Sequence, residues 1–240
     1  MLVLASGQAA PAAHAQALDI DSPDFAAGER EMKSVNVFNR RGIDAARSSH
    51  EISAAYAPLD WLKLAAHFDV EHILSGDWQA DHGALELQLK LLEAGAEGGL
   101  SIGWFSSVQV STHGDTTNSL VFGPIAKLQA GVAALTLNTY LEDTFGRNRD
   151  AGLALLYGWQ ARAELGGGIA VGIEGFGTLD DIGDAGPVEL QDHRIGPSFH
   201  ATHSRTAAPG QVIAMDTALL FGLTEAAPAT TLKISAALNF

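Results

Sequence analysis

Hydrophobic and polar residues alternate along most of the chain. The clearest case runs from Leu85 to Leu91, where four leucines are separated by Glu86, Gln88 and Lys90. A period of two places the leucines on one face of a β-strand and the polar residues on the other. These residue types also form helices readily, but a helix would spread the leucines around its circumference. The alternation therefore predicts a strand with two unlike faces.

The same alternation recurs often enough to fill the chain with strands. Twelve segments carry it, at roughly 30–39, 48–57, 61–73, 84–94, 99–112, 117–128, 132–144, 150–164, 168–178, 191–204, 210–222 and 229–240. The first, ninth and tenth of these segments are the least regular. No shift in composition marks a domain boundary, so residues 29–240 are predicted to form one all-β domain.

The connections between these strands alternate in length. The links 58–60, 129–131 and 165–167 are tight, and 94–98 is only slightly longer. Longer polar links separate them, at 40–47, 74–82, 113–117, 145–149 and 179–190. Short turns at one end and longer loops at the other are typical of outer-membrane barrels. An even strand count returns the chain to the short-turn side, although 203–209 is long for that side.

Alternation alone does not distinguish a membrane barrel from a soluble β-sandwich. The residues on the polar face can distinguish them. In a sandwich this face meets bulk water, whereas in a barrel it lines a lumen where opposite charges can lie together. Glu86 lies near Lys90 and Arg162 near Glu164, and many other positions on this face are Gly or Ala. Aromatic residues lie where the girdles at the membrane interfaces are expected, namely Tyr56, Trp61, Trp104, Tyr157 and Trp159.

The final strand favours the barrel. Its apolar positions are Leu232, Ile234, Ala236, Leu238 and Phe240. This pattern resembles the C-terminal strand of bacterial outer-membrane proteins, in which an aromatic last residue follows apolar residues at every second position. The resemblance implies that the barrel-assembly machinery recognises these five residues and that the bacterial outer membrane is the destination. We predict an antiparallel up-and-down transmembrane β-barrel of 12 strands.

Four further blocks resemble uncharacterised proteobacterial outer-membrane proteins that are often described as transporters. These blocks are 157–162, 174–177, 193–197 and 221–228. The similarity extends from about residue 30 to the end of the chain. It implies a fold and a location, and it does not imply a substrate.

Composition excludes several functions. The net charge of −14 argues against nucleic-acid binding, since phosphate contacts require Lys and Arg. The chain has no Cys, which excludes disulfides, thiol catalysis and Cys-based metal sites. The resemblance to outer-membrane proteins implies outer-membrane lipid, the barrel-assembly machinery and a small solute as the expected partners, and the net charge argues against nucleic acid.

The N-terminal residues are rich in Ala. Ala13-His14-Ala15 and Ala15-Gln16-Ala17 both fit the small-x-small rule for cleavage of export signals. The basic region that normally begins such a signal is missing. We predict a truncated signal peptide at 1–17, with a disordered Ala-rich N-terminus as the alternative, and an acidic periplasmic lead-in at 18–28.

The nine histidines raise the question of a metal site. His200 and His203 are three residues apart, so on a strand they face opposite sides and do not converge on one ion. His67 would point inward beside Asp69 and Glu71, which is the better candidate. A hydrogen-bond network in the lumen explains that group without an ion, so we predict no metal and no other cofactor.

Some outer-membrane barrels are lipid hydrolases with a Ser-His site, and His203-Ser204 superficially resembles one. The neighbouring residues Thr202, Arg205 and Thr206 do not reproduce those motifs, and no third partner that would orient the His is evident. We predict no enzymatic activity and keep a membrane-embedded lipid hydrolase as the least favoured alternative.

The residues predicted to line the lumen carry the functional hypothesis. They are Lys63, His67, Asp69, Glu71, Glu86, Lys90, Asn138, Tyr140, Glu142, Gln160, Arg162, Glu164, Glu174, Asp216 and Lys233. Carboxylates outnumber Lys and Arg in this set. We therefore predict a channel or transporter for small solutes that favours cations or neutral molecules. The alternative is a non-conducting structural or partner-binding barrel, because side chains can fill a barrel of this size.

Overall fold

The computed structural model describes residues 18–41, 45–73, 77–95, 98–112, 117–147, 149, 152–204 and 210–240. The predicted signal peptide at 1–17 lies outside the described residues. The strands are β1 (Arg30–Arg41), β2 (Ala45–Leu59), β3 (Leu62–Ile73), β4 (Trp78–Leu92), β5 (Gly98–Ser111), β6 (Asn118–Ala130), β7 (Ala133–Phe145), β8 (Leu153–Gly166), β9 (Ile169–Leu179), β10 (Asp192–Ser204), β11 (Val212–Gly222) and β12 (Thr230–Asn239).

These strands form one closed antiparallel barrel. Each strand pairs with its neighbours in sequence, and β1 pairs with β12 to close the ring. Beyond β12, the backbone of Phe240 exchanges two hydrogen bonds with Arg30, of 2.9 and 3.1 Å. The predicted fold class and strand number are confirmed.

Two strands begin earlier than the sequence pattern predicted. β2 begins at Ala45 and β4 at Trp78, within links that were predicted as loops. Ladder hydrogen bonds need only backbone groups, so a strand can continue beyond its alternating apolar residues. The Trp78 ring also packs against His50 and His72, with centroid distances of 5.0 and 4.8 Å.

The outer surface of the barrel is apolar. Large hydrophobic side chains on the outward faces of the strands are exposed; Leu85 is 70% and Ile52 62% exposed. Water-soluble proteins rarely expose a continuous apolar belt of this kind on their surface. Contact with lipid tails requires one. The architecture and its outer surface are those of a protein of the bacterial outer membrane.

The tight turns at one end of the barrel depend on glycine. Gly131 follows β6 with φ at 59°, and Gly167 and Gly168 join β8 to β9 with φ at 65° and 77°. Glycine adopts these left-handed conformations without a steric penalty. We call this end, where β1 begins and β12 ends, the short-turn end.

The longer loops lie at the opposite end. The loop from β9 to β10 contains one 3-10 turn, Val188–Leu190. No helix in the described part of the chain is long and apolar enough to cross a membrane.

Candidate functional site

Residues 18–28, which we call the luminal segment, run from the exposed short-turn end into the barrel, where Leu18 is buried. The segment enters at the short-turn end, where the amide of Ala27 donates to Asp60 Oδ1 at 3.0 Å. At its inner end Leu18 is buried against a cluster on the barrel wall that includes Val37 and Phe176. These residues were predicted to form a periplasmic lead-in, and their contacts with the inner wall of the barrel were not predicted.

Polar contacts connect the luminal segment to opposite walls of the barrel. On β1, Lys33 forms an ion pair with Asp19. On β7, the amide of Asp21 donates to Asn138 Oδ1 and the Asn138 side chain donates back to the Asp21 carbonyl, both at 2.9 Å. The Tyr140 hydroxyl donates to Asp21 Oδ2 at 2.8 Å. Because β1 and β7 are half the ring apart, the segment crosses the lumen.

Three more side chains hold the segment from the wall between these strands. Gln88 donates to the Ser22 carbonyl at 2.5 Å and Lys90 to the Phe25 carbonyl at 2.6 Å. Lys127 donates to the Asp24 carboxylate at 2.6 Å. Gln88 and Lys90 meet backbone carbonyl groups that would otherwise lose their water inside the barrel, whereas the Asp24 carboxylate stays partly exposed.

The two central carboxyl groups of this segment differ in pKa. Burial raises the pKa of Asp21 to about 6; the nearby Asp19 carboxylate adds to the effect and Lys33 opposes it. Burial also acts to raise the pKa of Asp19, but its attraction to Lys33 and Lys233 outweighs burial and leaves that pKa below its ordinary value. Both groups are therefore mostly ionised at neutral pH, but Asp21 takes up a proton as the pH falls through about 6, whereas Asp19 stays ionised to lower pH.

The residues predicted to line the lumen fall into several groups in the structure. Asn138, Gln160, Glu174 and Lys233 are buried inside the barrel, and Tyr140 is 8% exposed. Glu142 and Asp216 are partly buried, and Glu164 is exposed. Arg162 and Glu164 form an ion pair at 3.5 Å, and Lys63 lies 3.9 Å from Glu31.

One polar cluster joins β8 to β12. Glu174 on β9 forms an ion pair with Lys233 on β12 and accepts a hydrogen bond from Gln160 at 2.8 Å. Next to it, His200 Nδ1 contacts the Asp216 carboxylate, and His200 Nε2 lies 3.0 Å from the Ser198 hydroxyl. Both ring nitrogens of His200 therefore have partners.

A second cluster lies on β2, β3 and β4. His67 Nδ1 lies 2.8 Å from Glu86 Oε1, and His67 Nε2 lies 3.3 Å from Asp69 Oδ2. Glu51 on β2 is directly opposite Asp69 in the strand register. Glu71, also predicted to line the lumen, forms an ion pair with Arg47.

Sequence reasoning missed several inward-facing residues. Glu51 was missed because its neighbours on β2 are mostly Ser and Ala, so the alternation is weak there. Arg194 is 3% exposed and donates to Asn39 at 2.8 Å and to Thr231 at 3.0 Å. Val35 lies in one of the three least regular predicted strands and faces inward, fully buried. The register of each strand against its more regular neighbour is the signal that could have identified these positions.

The other predicted residues lie elsewhere on the barrel. His203 and Ser204 are both exposed near the end of β10. The apolar residues of the terminal strand share its outward face, and Leu232 and Phe240 are 37% and 43% exposed. Recognition of that strand by the assembly machinery stays a prediction.

Comparison with known proteins supports the fold. No protein-family model and no curated protein matches the chain. An outer membrane channel from Pseudomonas putida F1 superposes with a TM-score of 0.62 at 14% identity, covering 92% of this chain and all of that one. The KdgM porin in complex with oligogalacturonate gives a TM-score of 0.47 at 8% identity, covering 88% of this chain and 98% of the other. The first of these similarities agrees with the closed barrel described above.

Proposed function

We propose that this protein is an outer-membrane channel for small solutes, with a polar, net acidic lumen that favours cations or neutral molecules. The observation that carries the proposal is the luminal segment. A chain that crosses the lumen on hydrogen bonds and ion pairs leaves room for water and small molecules beside it, and its contacts can be broken and re-formed. The fold is shared with a known outer membrane channel, although that similarity concerns the fold alone.

The electrostatics of the space beside the segment support cation preference. A small cavity lies between the segment and the wall, and its charged lining consists of Asp19, Asp21, Glu31, Lys33, Glu51, Lys63 and Glu86. Five carboxyl groups thus face two ammonium groups. A low-dielectric wall concentrates the field of such an excess, which attracts cations and repels anions.

The luminal segment would restrict the channel. Its attachment at both Lys33 and Asn138 places backbone across the lumen between β1 and β7. We expect conduction through the narrow space that remains, and a larger current when the segment is absent.

Planar-bilayer recording tests this proposal. The full chain is compared with a variant that lacks residues 18–27 and with the single variant Tyr140→Phe, which loses one hydrogen bond to Asp21. We expect small single-channel current steps from the full chain and larger ones from the deletion variant. In a KCl gradient, the reversal potential should indicate cation preference. Heat-modifiable migration on a gel confirms that each variant retains the barrel.

A non-conducting barrel is the second candidate, and it is favoured by the bridging of the lumen by buried pairs such as Lys233–Glu174. Absence of ion current from both the full chain and the folded deletion variant would support it and reject the channel. A current carried mainly by anions would support a channel but would contradict the proposed preference for cations.

A further inference from the structure

Three potential metal ligands lie together on the inner wall of the barrel. Glu51 is opposite Asp69 in the β2–β3 register, and His67 is two residues from Asp69 on the same face of β3. Glu51 and His67 are 5% exposed and Asp69 is 4% exposed. One nitrogen or oxygen atom from each residue lies within 4.8 Å of the other two.

The imidazole of His67 is oriented as in a metal-bound histidine. Its Nδ1 lies 2.8 Å from Glu86 Oε1, and because a carboxylate accepts, Nδ1 carries the proton. Its Nε2 then faces Asp69 and makes no well-formed hydrogen bond. In metal sites a carboxylate commonly holds one ring nitrogen and so aims the other at the ion. Glu86 occupies that position here.

The carboxylates of Glu51 and Asp69 also contain oxygen atoms without hydrogen-bond partners. Glu51 Oε2 and Asp69 Oδ1 are buried and have no hydrogen-bond partner. Among the described residues, no Lys or Arg forms an ion pair with either carboxylate, whereas Glu71 on the same face is paired with Arg47. When Nε2 carries no proton, the buried carboxylates repel its lone pair and each other, and a cation between them removes that cost.

We propose that Glu51, His67 and Asp69 bind a divalent transition-metal ion such as Zn²⁺. One nitrogen and two carboxylate ligands suit Zn²⁺ and its neighbours, whereas Ca²⁺ and Mg²⁺ prefer oxygen ligands alone. Tetrahedral Zn²⁺ holds its ligand atoms about 3.3 Å apart, so the carboxylates rotate inward when the ion binds. Glu51 also lines the small cavity beside the luminal segment, from which water can supply the fourth ligand.

For His67, Asp69 and Glu71 the sequence pattern favoured a hydrogen-bond network, and Glu51 was not part of that prediction. A network accounts for the Nδ1 contact of His67 with Glu86 and for the 3.3 Å approach of Nε2 to Asp69 Oδ2, but it leaves Glu51 Oε2 and Asp69 Oδ1 without partners. A proton on Nε2 is the competing way to neutralise the cluster. Metal and proton therefore compete for the same nitrogen, and binding should weaken as the pH falls.

Calorimetric titration with Zn²⁺ tests the site directly. The protein is purified in detergent without a polyhistidine tag and is stripped with a chelator before the titration. We expect one Zn²⁺ per chain, and Co²⁺ should give the visible absorption of a low-symmetry site. Glu51→Gln and Asp69→Asn should each weaken binding at least about tenfold, His67→Gln should abolish it, and Glu86→Gln should weaken it by about 10- to 100-fold.

His200→Gln is the matched control, because the ring of this other buried histidine has both nitrogens occupied by Asp216 and Ser198. It should bind Zn²⁺ as the unaltered chain does. Heat-modifiable migration verifies the fold of each variant. If His67→Gln does not fold, the loss of Zn²⁺ binding is tested with Glu51→Gln. Absence of Zn²⁺ binding by the unaltered chain, or equal binding by folded Glu51→Gln and Asp69→Asn, would overturn the proposal. The titration requires no ion current. The metal site is therefore tested independently of the proposed channel function.

Discussion

The ammonium group of Lys233 on β12 and the carboxylate of Glu174 on β9 form an ion pair inside the barrel, three strands apart around the ring. Their side chains are 3% and 0% exposed. Gln160 donates to the same carboxylate at 2.8 Å, and the Lys233 ammonium lies 5.0 Å from the centre of the Phe176 ring. The pair thus connects β12, which closes the barrel with β1, to β9.

Breaking this pair from one side should destabilise the barrel. Lys233→Met leaves a buried carboxylate with Gln160 as its remaining neutral donor, and we expect a loss of about 3–5 kcal/mol in the free energy of unfolding. Adding Glu174→Gln should recover most of that loss, because it removes the uncompensated charge. Urea unfolding in lipid vesicles measures both. A double variant as unstable as Lys233→Met would show that the charge itself is unimportant.

Much of the architecture was predictable because the two faces of a membrane barrel differ in residue type along every strand. Leu85–Leu91 could be assigned to a strand from its alternation alone, and the observed β4 contains it. The predictable part ends where the inner face ceases to be polar. Val35 and Val37 face the lumen because Leu18 packs against them, and no local pattern reveals a partner that is distant in the fold.

The candidate site was less predictable for a related reason. His67 and Asp69 could be placed on one face from their spacing, but Glu51 enters through the pairing of β2 with β3. Similarly, the acidic residues of 18–28 resemble a solvated linker until Lys33 and Asn138 are known to lie within reach. Pairing between strands, rather than residue type, supplies this information.

Acidification should strengthen the attachment of the luminal segment. The pKa of Asp21 is about 6 when the segment is docked and returns toward its ordinary value of 3.8 when it is released. The docked state therefore binds a proton more readily, so docking becomes more favourable as the pH falls from about 7 through 6 toward 4. Asp19 has a lowered pKa and stays ionised over most of this range, which preserves its pair with Lys33.

A single cysteine introduced by Ser22→Cys can report this change, because the chain has no Cys of its own. Its labelling rate, divided by the rate in the unfolded protein at the same pH, should fall as the pH is lowered from about 7 to about 5. Addition of Asp21→Asn should remove the dependence on pH. If the normalised rate in the single variant were to rise with acid, Asp21 would not control docking in this way.

The outward apolar face should be sensitive to charge in a depth-dependent manner. Leu137 lies near the middle of β7 and is 45% exposed. Replacing it with Arg should cost about 2–4 kcal/mol in lipid vesicles, because the guanidinium would lie in hydrocarbon. Leu223→Arg is the control, since Leu223 is 63% exposed but follows the end of β11. Equal costs for the two variants would contradict lipid contact at Leu137.

Two glycines on the outward face should differ in their tolerance of a methyl group. Gly175 on β9 is opposite Trp159 on β8, and the indole lies over the glycine in the space that a Cβ would need. Gly83 on β4 has only the Phe68 ring nearby, 4.0 Å from the point that a Cβ would occupy. Gly175→Ala should therefore displace the indole and cost about 1–3 kcal/mol of unfolding free energy, whereas Gly83→Ala should cost little.

Trp159 fluorescence provides a second measurement for the same pair of variants. An indole displaced from Gly175 should change its emission maximum in the folded state, and the Gly83→Ala spectrum should match that of the unaltered chain. Trp159→Leu leaves a side chain that can move away from position 175. In that background Gly175→Ala should lose most of its cost, because the steric conflict has been removed. A cost that persists there would assign the effect to the backbone of β9 instead of the ring.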